Sequence, residues 1–537
     1  MKYVVIGGVA GGPSFATRLR RIDENAEIII LERGSAISYA GCAIPYYLGG
    51  VIKNRDSLIE RTPEILKQKN NIDVRLFNEV TKIDPQNKKL AVTNLKTGDE
   101  YSETYDRLVL ATGARPYFPD IKGIEQADNI FAVRNMDDAD AVKNFLDTEE
   151  PKSVVILGGG AIGIEIAESF TENNMDVTIV EQNGQVAYPL DEEIAEIIQA
   201  DMEKNGVRIL LNRQVVEFQD DGHKVLLDDD SNISTDMLFM ATGVVPNVEL
   251  AQDAGINLAQ DHHIIVDNKF QTNIADIYAI GDVIETKSLI SGQPIPSLLS
   301  SAANRQGHLL ADILSGQNYE YPGFIGAGAS KFFDLTSSFV GFTENELNAA
   351  GYNNYANVFI TPFDHAFFFP NATRVNFKLI YDTKSGKILG GQAVGENGID
   401  KRIYQLSVAI SGHLTVYDLP QLEIPYSPPY SSTRDVLNIA GYVAINQLQN
   451  QIKTIDANDI PKAELENGFF LDIREPGKPF AGTVMASANI PLSQLRNRIN
   501  EIPTDQKIYI TFRKGIGPYN ASTILKGKGF DVTLIKE

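Results

Sequence analysis

Two glycine-rich turns, each between a β-branched run and a helical pattern, constrain the fold of this chain more than any other feature. The first lies in Lys2–Gly12 (KYVVIGGVAGG) and the second in Lys152–Gly163 (KSVVILGGGAIG). An apolar run follows each helical pattern and ends in an acid, Glu32 or Glu181, 18–20 residues after the last glycine. This order is typical of a βαβ dinucleotide-binding unit. The sequence therefore predicts an α/β protein with two such units.

The glycines give each turn its expected chemistry. They allow a tight bend and a close approach of the backbone to a pyrophosphate, which lies at the positive helix N-terminus. The second turn has the complete pattern, Gly158, Gly160 and Gly163, whereas the first has Val9 at the middle position. No Arg or Lys directly follows Glu181 to meet a 2′-phosphate, which favours NADH over NADPH.

Three further apolar runs each end in a short turn motif that contains glycine. Leu108–Gly113 and Leu238–Gly243 are apolar runs that end in Ala-Thr-Gly, and Ile277–Asp282 ends in Gly-Asp. Together with the two glycine turns, they resemble the pyridine nucleotide–disulfide oxidoreductases over residues 1 to about 445. The resemblance implies two nested Rossmann-like dinucleotide-binding domains and an α+β dimerisation domain. The expected boundaries are 1–114 and 247–322 for FAD binding, 115–246 for NAD binding and 323–445 for dimerisation.

The resemblance also assigns cofactor residues. Glu32 is expected to bind the FAD ribose, Asp282 the ribityl or pyrophosphate oxygens, and Glu165 to lie near the nicotinamide. The residues implied for FAD are Gly7, Gly12, Glu32, Arg33, Thr112, Gly113 and Asp282. Those implied for NADH are Gly158, Gly160, Gly163, Glu165, Glu181 and Gly243.

The chain has one cysteine, Cys42, which excludes an intrachain disulfide and a structural zinc site. A lone cysteine is often only a small buried apolar residue. Here Gly41 and Pro45 indicate a loop-to-helix junction, and a helix N-terminus stabilises a thiolate. The pattern from Ser38 to Tyr46 resembles the single-cysteine branch of the family, which contains coenzyme A disulfide and persulfide reductases, NADH oxidases and NADH peroxidases. In that branch the thiol forms a mixed disulfide or a sulfenic acid.

The residues of the first glycine turn favour the coenzyme A reductases over the oxidases and peroxidases. Oxidase and peroxidase members carry a Ser-His pair where this chain has Val9-Ala10, whereas the run followed by Arg18, Arg20 and Arg21 resembles the coenzyme A reductases. The arginines are a candidate clamp for a 3′-phospho-ADP, with a solvated helix face as the alternative. The expected substrate-binding residues are Arg18, Arg21, Ser38, Asn304 and Phe368.

Two aromatic segments continue the resemblance. Tyr426, in the segment EIPYSPPY, corresponds to a tyrosine that reaches the substrate sulfur in the partner subunit, and is a candidate acid. A tyrosine packed on a proline-rich loop is the alternative. In the segment HAFFFP, Phe368 stands where the family has a second tyrosine, which favours a good leaving group such as hydrosulfide over a bulky coenzyme A disulfide.

The C-terminal part resembles a rhodanese domain through Phe469–Glu475, Ala488–Leu492 and Ile508–Thr511. Phe512 stands where an active rhodanese has its persulfide-forming cysteine, so we expect a small α/β pseudo-rhodanese over 457–537, after a linker over 446–456. Its expected role is dimer packing or ligand positioning, with Arg513 and Lys514 as candidate anion contacts.

Charge and the N-terminus bear on partners and location. The net charge of −22, from 70 acidic and 48 basic residues, disfavours nucleic-acid and anionic-membrane binding. Since the first residues enter a strand without signal-peptide features, we expect a cytoplasmic protein. The resemblance implies a homodimer whose active site is shared between subunits. The leading hypothesis is an NADH- and FAD-dependent reductase of coenzyme A persulfide or disulfide, with coenzyme A as substrate or tightly bound ligand. The alternatives are an NADH oxidase or peroxidase that cycles through a Cys42 sulfenic acid, and a redox sensor whose tail binds a partner.

Overall fold

The computed structural model describes residues 1–449, 453–475, 485–512 and 516–536. They form two compact units, Met1–Leu335 and Thr336–Glu537. Across the described residues, none of the helices has the length and hydropathy needed to cross a membrane.

The first unit alternates strands and helices. Its strands are β1 (Lys2–Ile6), β2 (Glu27–Glu32), β3 (Asp73–Leu76), β4 (Asn78–Asp84), β5 (Lys89–Asn94), β6 (Glu100–Thr104), β7 (Arg107–Leu110), β8 (Ala114–Pro116), β9 (Ile130–Phe131), β10 (Ser153–Leu157), β11 (Asp176–Glu181), β12 (Arg208–Leu211), β13 (Val215–Gln219), β14 (Lys224–Leu227), β15 (Asn232–Ser234), β16 (Met237–Met240), β17 (Val244–Pro246), β18 (Ile264–Ile265), β19 (Ile277–Ala279), β20 (Ile284–Lys287), β21 (Pro294–Pro296) and β22 (Ala327–Phe332). Its helices are α1 (Gly11–Ile22), α2 (Ile44–Leu48), α3 (Pro63–Asn70), α4 (Met136–Glu149), α5 (Ala161–Glu172), α6 (Glu192–Lys204), α7 (Glu249–Asp253) and α8 (Ser300–Leu314).

Two parallel five-stranded sheets organise this unit. Their strand orders are β19-β7-β1-β2-β3 and β12-β11-β10-β16-β9. The central strands are β-branched and almost fully buried, as expected of parallel strands covered on both faces. In each sheet a glycine turn joins the central strand to a helix, α1 or α5, and the neighbouring strand ends in the predicted acid. The predicted α/β class with two dinucleotide-binding units is confirmed.

Smaller sheets, mostly antiparallel, complete the first unit; the exception is the parallel pair of β18 and β20. The sheets β4-β5-β6 and β13-β14-β15 each accompany one of the parallel sheets in sequence, and β18, β20 and β21 form another small sheet. The strands β8 and β17 pair antiparallel with each other. They lie where the chain leaves the first parallel sheet after β7 and returns towards it after β16.

The second unit contains an antiparallel sheet followed by a parallel one. Its strands are β23 (Leu335–Gly341), β24 (Tyr355–Ile360), β25 (Asn376–Asp382), β26 (Ile388–Gly395), β27 (Thr454–Asp456), β28 (Phe469–Asp472), β29 (Ala488–Asn489), β30 (Ile508–Phe512) and β31 (Val532–Lys536). Its helices are α9 (Glu344–Ala349), α10 (Ile399–Ser411), α11 (Val436–Leu448), α12 (Lys462–Asn467), α13 (Leu492–Leu495) and α14 (Ile516–Lys526).

The antiparallel sheet pairs β23 with β26, β26 with β25 and β25 with β24. The C-terminal sheet has the order β27-β31-β30-β28-β29 and is parallel, with a small apolar core of its own. The expected linker of residues 446–456 includes the end of α11 and the whole of β27. Residues 450–452, Arg513 and Lys514 lie outside the described residues, as does the side chain of Phe512.

Candidate active site

The first glycine turn brings helix α1 very close to strand β1. Gly7 has φ +107°, a conformation that side chains disfavour. A Cβ atom on Gly12 would lie 2.1 Å from the carbonyl oxygen of Gly7, so only glycine permits this packing. The middle position is Val9, whose side chain is partly exposed. The turn therefore presents backbone groups at the helix N-terminus, as the FAD expectation requires.

The second turn repeats this geometry with one difference. Gly158 has φ +103°, and a Cβ on Gly163 would lie 2.1 Å from the Gly158 carbonyl oxygen. A Cβ on Gly160 would meet no atom within 4 Å. The space beside Gly160 is therefore open, so the packing of the protein does not require glycine at this position. The backbone fits a dinucleotide pyrophosphate at this place.

The two acids are held in equivalent ways. Glu32 accepts hydrogen bonds from the N–H groups of Gly8 and Gly34, both at 2.8 Å. Glu181 accepts hydrogen bonds from the N–H groups of Gly159 at 2.7 Å and Asn183 at 2.8 Å. Burial raises the pKa of Glu32, opposed by these two N–H bonds. A carboxylate accepts about four hydrogen bonds, so Glu32 keeps acceptor capacity for a ribose diol.

Asp282 forms an ion pair that the sequence did not predict. Its carboxylate accepts a hydrogen bond from the guanidinium of Arg134, which also donates to the carbonyl of Ala114 at 3.1 Å. Arg134 thus places a positive charge beside the expected FAD ligand in a strongly acidic chain. No local motif marks Arg134, because it lies 148 residues from Asp282 in sequence.

The Ala-Thr-Gly turns make contacts besides any with a cofactor. The hydroxyl of Thr112 donates to the carbonyl of Asn247 at 2.8 Å, and the N–H of Asn247 donates to the carbonyl of Gly113 at 2.9 Å. In the other turn, the N–H of Tyr117 donates to the carbonyl of Gly243 at 2.9 Å. These residues therefore bind the two strands that join the parallel sheets.

Cys42 lies at the predicted loop-to-helix junction. A single 3₁₀ turn, Gly41–Ala43, leads directly into α2, and the thiol is exposed. The sulfur lies 3.9 Å from the hydroxyl oxygen of Ser300, the first residue of α8. A five-residue helix has little intrinsic stability, so contacts from elsewhere must hold it.

Helix α5, which follows the second glycine turn, supplies those contacts. The Ser169 hydroxyl donates to the carbonyl of Pro45 at 2.8 Å, and the Asn173 amide donates to the carbonyl of Leu48 at 3.1 Å. Both acceptors belong to α2. The cysteine-bearing helix is therefore fixed to the helix that starts at the second glycine turn.

A titratable cluster lies between these helices. Burial raises the pKa of Glu165 to about 7; a hydrogen bond from Ser330 lowers it and the nearby Glu168 carboxylate raises it further. Burial also raises the pKa of Tyr46, as do the charges of Glu165, Glu168 and Cys42. A carboxyl group that holds a proton near neutral pH thus lies within electrostatic reach of the tyrosine beside the thiol.

A row of polar side chains runs along α8 at four-residue intervals from Ser300, one face of the helix. Asn304 accepts a hydrogen bond from Ser14 of α1 at 2.5 Å. Asp312 accepts one from Arg18 of α1 at 2.7 Å. With the helical rise of 1.5 Å per residue, the row extends about 18 Å from Ser300 to Asp312. Of the predicted substrate residues, Asn304 therefore belongs to this row and Arg18 contacts its last residue, whereas Cys42 lies beside its first residue.

Arg20 differs from its expected role. Its side chain is buried and donates five hydrogen bonds to backbone carbonyls, so its guanidinium cannot clamp a phosphate. The acceptors are the carbonyls of Asp23, Glu24, Ala26, Asn70 and Asn71. The three-arginine clamp is therefore wrong at this position.

The remaining predicted residues are dispersed. Arg21 is exposed on α1, and Arg33 is exposed with Glu79 3.8 Å away. Ser38 is buried and donates its backbone N–H to the carbonyl of Gly8 at 2.8 Å, so it supports the first glycine turn.

In the second unit, Phe368 and Tyr426 are exposed and lie on adjacent segments. The segments meet through a hydrogen bond from the N–H of Ala366 to the carbonyl of Pro428 at 3.3 Å. Buried Arg402 anchors this region, since it pairs with buried Asp435 at 2.8 Å and also donates to the carbonyl of Asp364.

Comparison with known proteins agrees with this geometry. The sequence profile of the pyridine nucleotide-disulphide oxidoreductases matches residues 1–307, and that of their dimerisation domain matches residues 328–436. The coenzyme A disulfide reductase of Staphylococcus haemolyticus (strain JCSC1435) is 32% identical over 444 residues, which are 82% of this chain and 99% of that protein.

Two solved structures match nearly the whole chain. The crystal structure of reduced Bacillus anthracis CoADR-RHD has a TM-score of 0.97 and 41% identity, and the match covers 99% of this chain and 96% of that chain. The NAD-dependent persulfide reductase from A. fulgidus has a TM-score of 0.92 and 33% identity, with 100% of this chain and 99% of that chain covered. The chain therefore belongs to the pyridine nucleotide-disulphide oxidoreductase family and is an enzyme that binds FAD and NAD(H).

Proposed function

We propose that this enzyme is an NADH-dependent reductase of coenzyme A persulfide, and also of coenzyme A disulfide or polysulfide, with Cys42 as its redox residue. The observation that carries the proposal is the position of the exposed Cys42 thiol at one end of the polar row along α8. Relatives named coenzyme A disulfide reductase and persulfide reductase support the same substrate class.

The row suits a molecule with a thiol at one end and phosphates at the other. Ser300, at the start of α8, lies beside the thiol, and Asn304 is one helical turn further along. Arg18 and Arg21 lie towards the C-terminal end of α1. Arg18 pairs with Asp312, so binding an anion requires the guanidinium to share or exchange this partner. We infer that the pantetheine arm of coenzyme A follows the row and that Arg18 and Arg21 bind its phosphates.

The chemistry needs only one sulfur from the protein. When bound, FAD accepts a hydride from NADH and passes two electrons to a disulfide in contact with its ring. The Cys42 thiolate attacks the coenzyme A sulfur of the persulfide, so that a Cys42–S–S–coenzyme A bond forms and hydrosulfide leaves. Two electrons and one proton then convert this mixed disulfide into the Cys42 thiolate and free coenzyme A. A second cysteine is therefore unnecessary.

Neighbouring groups supply protons and select the substrate. Glu165 holds a proton near pH 7 in the cluster that contains Tyr46. We assign Tyr426 as the donor to the leaving sulfur, reached from the partner subunit of a homodimer; the dimerisation-domain match supports the dimer. Phe368 has no hydroxyl to donate, which favours hydrosulfide as the leaving group over coenzyme A thiolate.

The nucleotide preference follows from Glu181. Its carboxylate is buried at the end of β11 and held by two backbone N–H groups. Such a carboxylate accepts hydrogen bonds from ribose hydroxyls and repels a 2′-phosphate. We therefore expect a lower KM for NADH than for NADPH.

The experiment measures NADH consumption with coenzyme A persulfide, coenzyme A disulfide, oxygen or hydrogen peroxide as the sole acceptor. We expect persulfide to give the highest kcat/KM, and Cys42→Ser to retain bound FAD and flavin reduction by NADH without persulfide turnover. Ser300→Ala keeps the thiol and changes its neighbour at 3.9 Å in the polar row, so we expect it to retain persulfide turnover with a raised KM for the persulfide. Peroxide or oxygen as the best acceptor, or wild-type turnover by Cys42→Ser, would refute the proposal.

A further inference from the structure

The two Ala-Thr-Gly turns form a reciprocal set of contacts. The hydroxyl of Thr112 donates to the carbonyl of Asn247 at 2.8 Å, and the hydroxyl of Thr242 donates to the carbonyl of Tyr117 at 2.6 Å. Each acceptor lies five residues after the threonine of the other turn. Each turn therefore binds the chain that leaves the other turn. We call these four residues the crossing clasp.

Backbone groups reinforce the crossing clasp. The N–H of Asn247 donates to the carbonyl of Gly113, and the N–H of Tyr117 donates to the carbonyl of Gly243, both at 2.9 Å. The Asn247 amide also donates to the carbonyl of Thr112 at 2.8 Å. Between the turns, β8 and β17 pair antiparallel. The contacts on the two sides are nearly symmetric.

The crossing clasp lies where the two dinucleotide-binding sheets are joined. Strand β7 belongs to the sheet with β1, and β16 belongs to the sheet with β10. The chain passes from the first sheet to the second through β8 and returns through β17. Any rotation of one sheet relative to the other must therefore deform the clasp or break its hydrogen bonds.

We propose that Thr112 and Thr242 are positioning residues for hydride transfer. Their hydroxyls hold the crossing strands so that the two nucleotide sites keep one relative geometry. Hydride transfer depends steeply on the approach of the reacting atoms, and a displacement of about 1 Å can cost about 100-fold in rate. The loss of one neutral hydrogen bond shifts a two-state equilibrium by about fivefold, which is enough to populate a displaced crossing. The inference rests on FAD and NAD(H) binding alone and not on the proposed coenzyme A chemistry.

The test uses Thr242→Val in the FAD-loaded enzyme, because valine keeps the shape of threonine without its hydroxyl. We expect anaerobic stopped-flow reduction of the flavin by NADH to be slowed about fivefold, with wild-type FAD content and NADH affinity. Hydrogen–deuterium exchange at the amide of Tyr117 should be faster than in the wild type. Thr242→Ser should restore both, and Thr104→Val, at the exposed end of β6, should change neither.

Other results would overturn the inference. It fails if Thr242→Val reduces the flavin at the wild-type rate, or if Thr242→Ser is as slow as Thr242→Val. It also fails if both Thr242→Val and Thr112→Val purify without FAD, since the hydroxyls are then needed for folding rather than for geometry. Repeating the reduction in a Cys42→Ser background separates this result from the proposed function, because flavin reduction precedes any reaction of the thiol.

Discussion

The raised pKa of Glu165 has a measurable effect on stability. In the folded state the group titrates at about 7, against 4.5 for an ordinary glutamate, and burial is the main cause. This rise corresponds to about 3 kcal/mol at about 1.4 kcal/mol per pH unit. Because the folded state binds the proton more tightly, the stabilisation is complete below about pH 4.5 and is lost as the pH rises through about 7.

Glu165→Gln removes this titration and keeps the shape of the side chain. We expect the free energy of unfolding of the variant to rise relative to the wild type by about 2.5 kcal/mol between pH 5 and pH 8. Urea unfolding of the FAD-loaded enzyme without NADH, followed by circular dichroism, measures this, since the chain has no tryptophan. Glu172→Gln, exposed at the end of the same helix, is the control and should keep the wild-type pH dependence. If the difference between wild type and Glu165→Gln is constant from pH 5 to pH 8, the reasoning is refuted.

Other substitutions test packing and binding. Arg402→Met should lower the free energy of unfolding by about 3–5 kcal/mol, because it leaves the Asp435 carboxylate buried without its cation; a loss below about 1 kcal/mol in a urea titration would contradict this. Gly163→Ala should lower the unfolding temperature and abolish NADH binding, whereas Gly160→Ala should keep the wild-type temperature and weaken only NADH binding. Equal unfolding temperatures of the two variants would show that the 2.1 Å approach to Gly158 does not constrain this turn. Arg18→Met should raise the KM for coenzyme A persulfide about tenfold with little change in kcat, and an unchanged KM would exclude Arg18 from phosphate binding.

The parts of the fold that local sequence determines were predictable. Strand β1, the turn at Gly7 and helix α1 follow from a β-branched run, glycines and an amphipathic pattern that are contiguous in the chain. The second glycine turn, with strand β10 before it and helix α5 and strand β11 after it, follows in the same way. The position of Cys42 between a turn and a helix was also predictable, because Gly41 and Pro45 flank it.

The long-range parts of the site could not be read from the sequence. Arg18, Arg20 and Arg21 are close in sequence, but helical geometry points their side chains in different directions. Whether each guanidinium is exposed, paired or buried depends on the segments that pack against that face of α1. Two of the five carbonyls that bind the buried Arg20 guanidinium belong to residues 70 and 71, at the end of α3, which are distant in sequence. The pairing of Arg134 with Asp282 likewise depends on how distant segments meet.

The contact partners of the two Ala-Thr-Gly turns likewise could not be predicted from the sequence. The sequence repeat is visible, and the family resemblance implies a cofactor-binding role for Thr112, Gly113 and Gly243. That role stays a prediction, whereas the contacts with Asn247 and Tyr117 depend on β8 and β17 crossing in space. A repeated motif therefore indicated equivalent positions without indicating their partners.

The central claim is that the lone thiol of Cys42 forms and releases a covalent bond to coenzyme A. Intact-protein mass spectrometry of the oxidised, FAD-loaded enzyme after exposure to coenzyme A disulfide tests it most directly, since the chain has one cysteine. We expect the mass of the wild-type chain to increase by one coenzyme A moiety, the mass of Cys42→Ser to stay unchanged, and the adduct to disappear completely when NADH is added. An unmodified wild-type mass, or an adduct that NADH does not remove, would contradict the account.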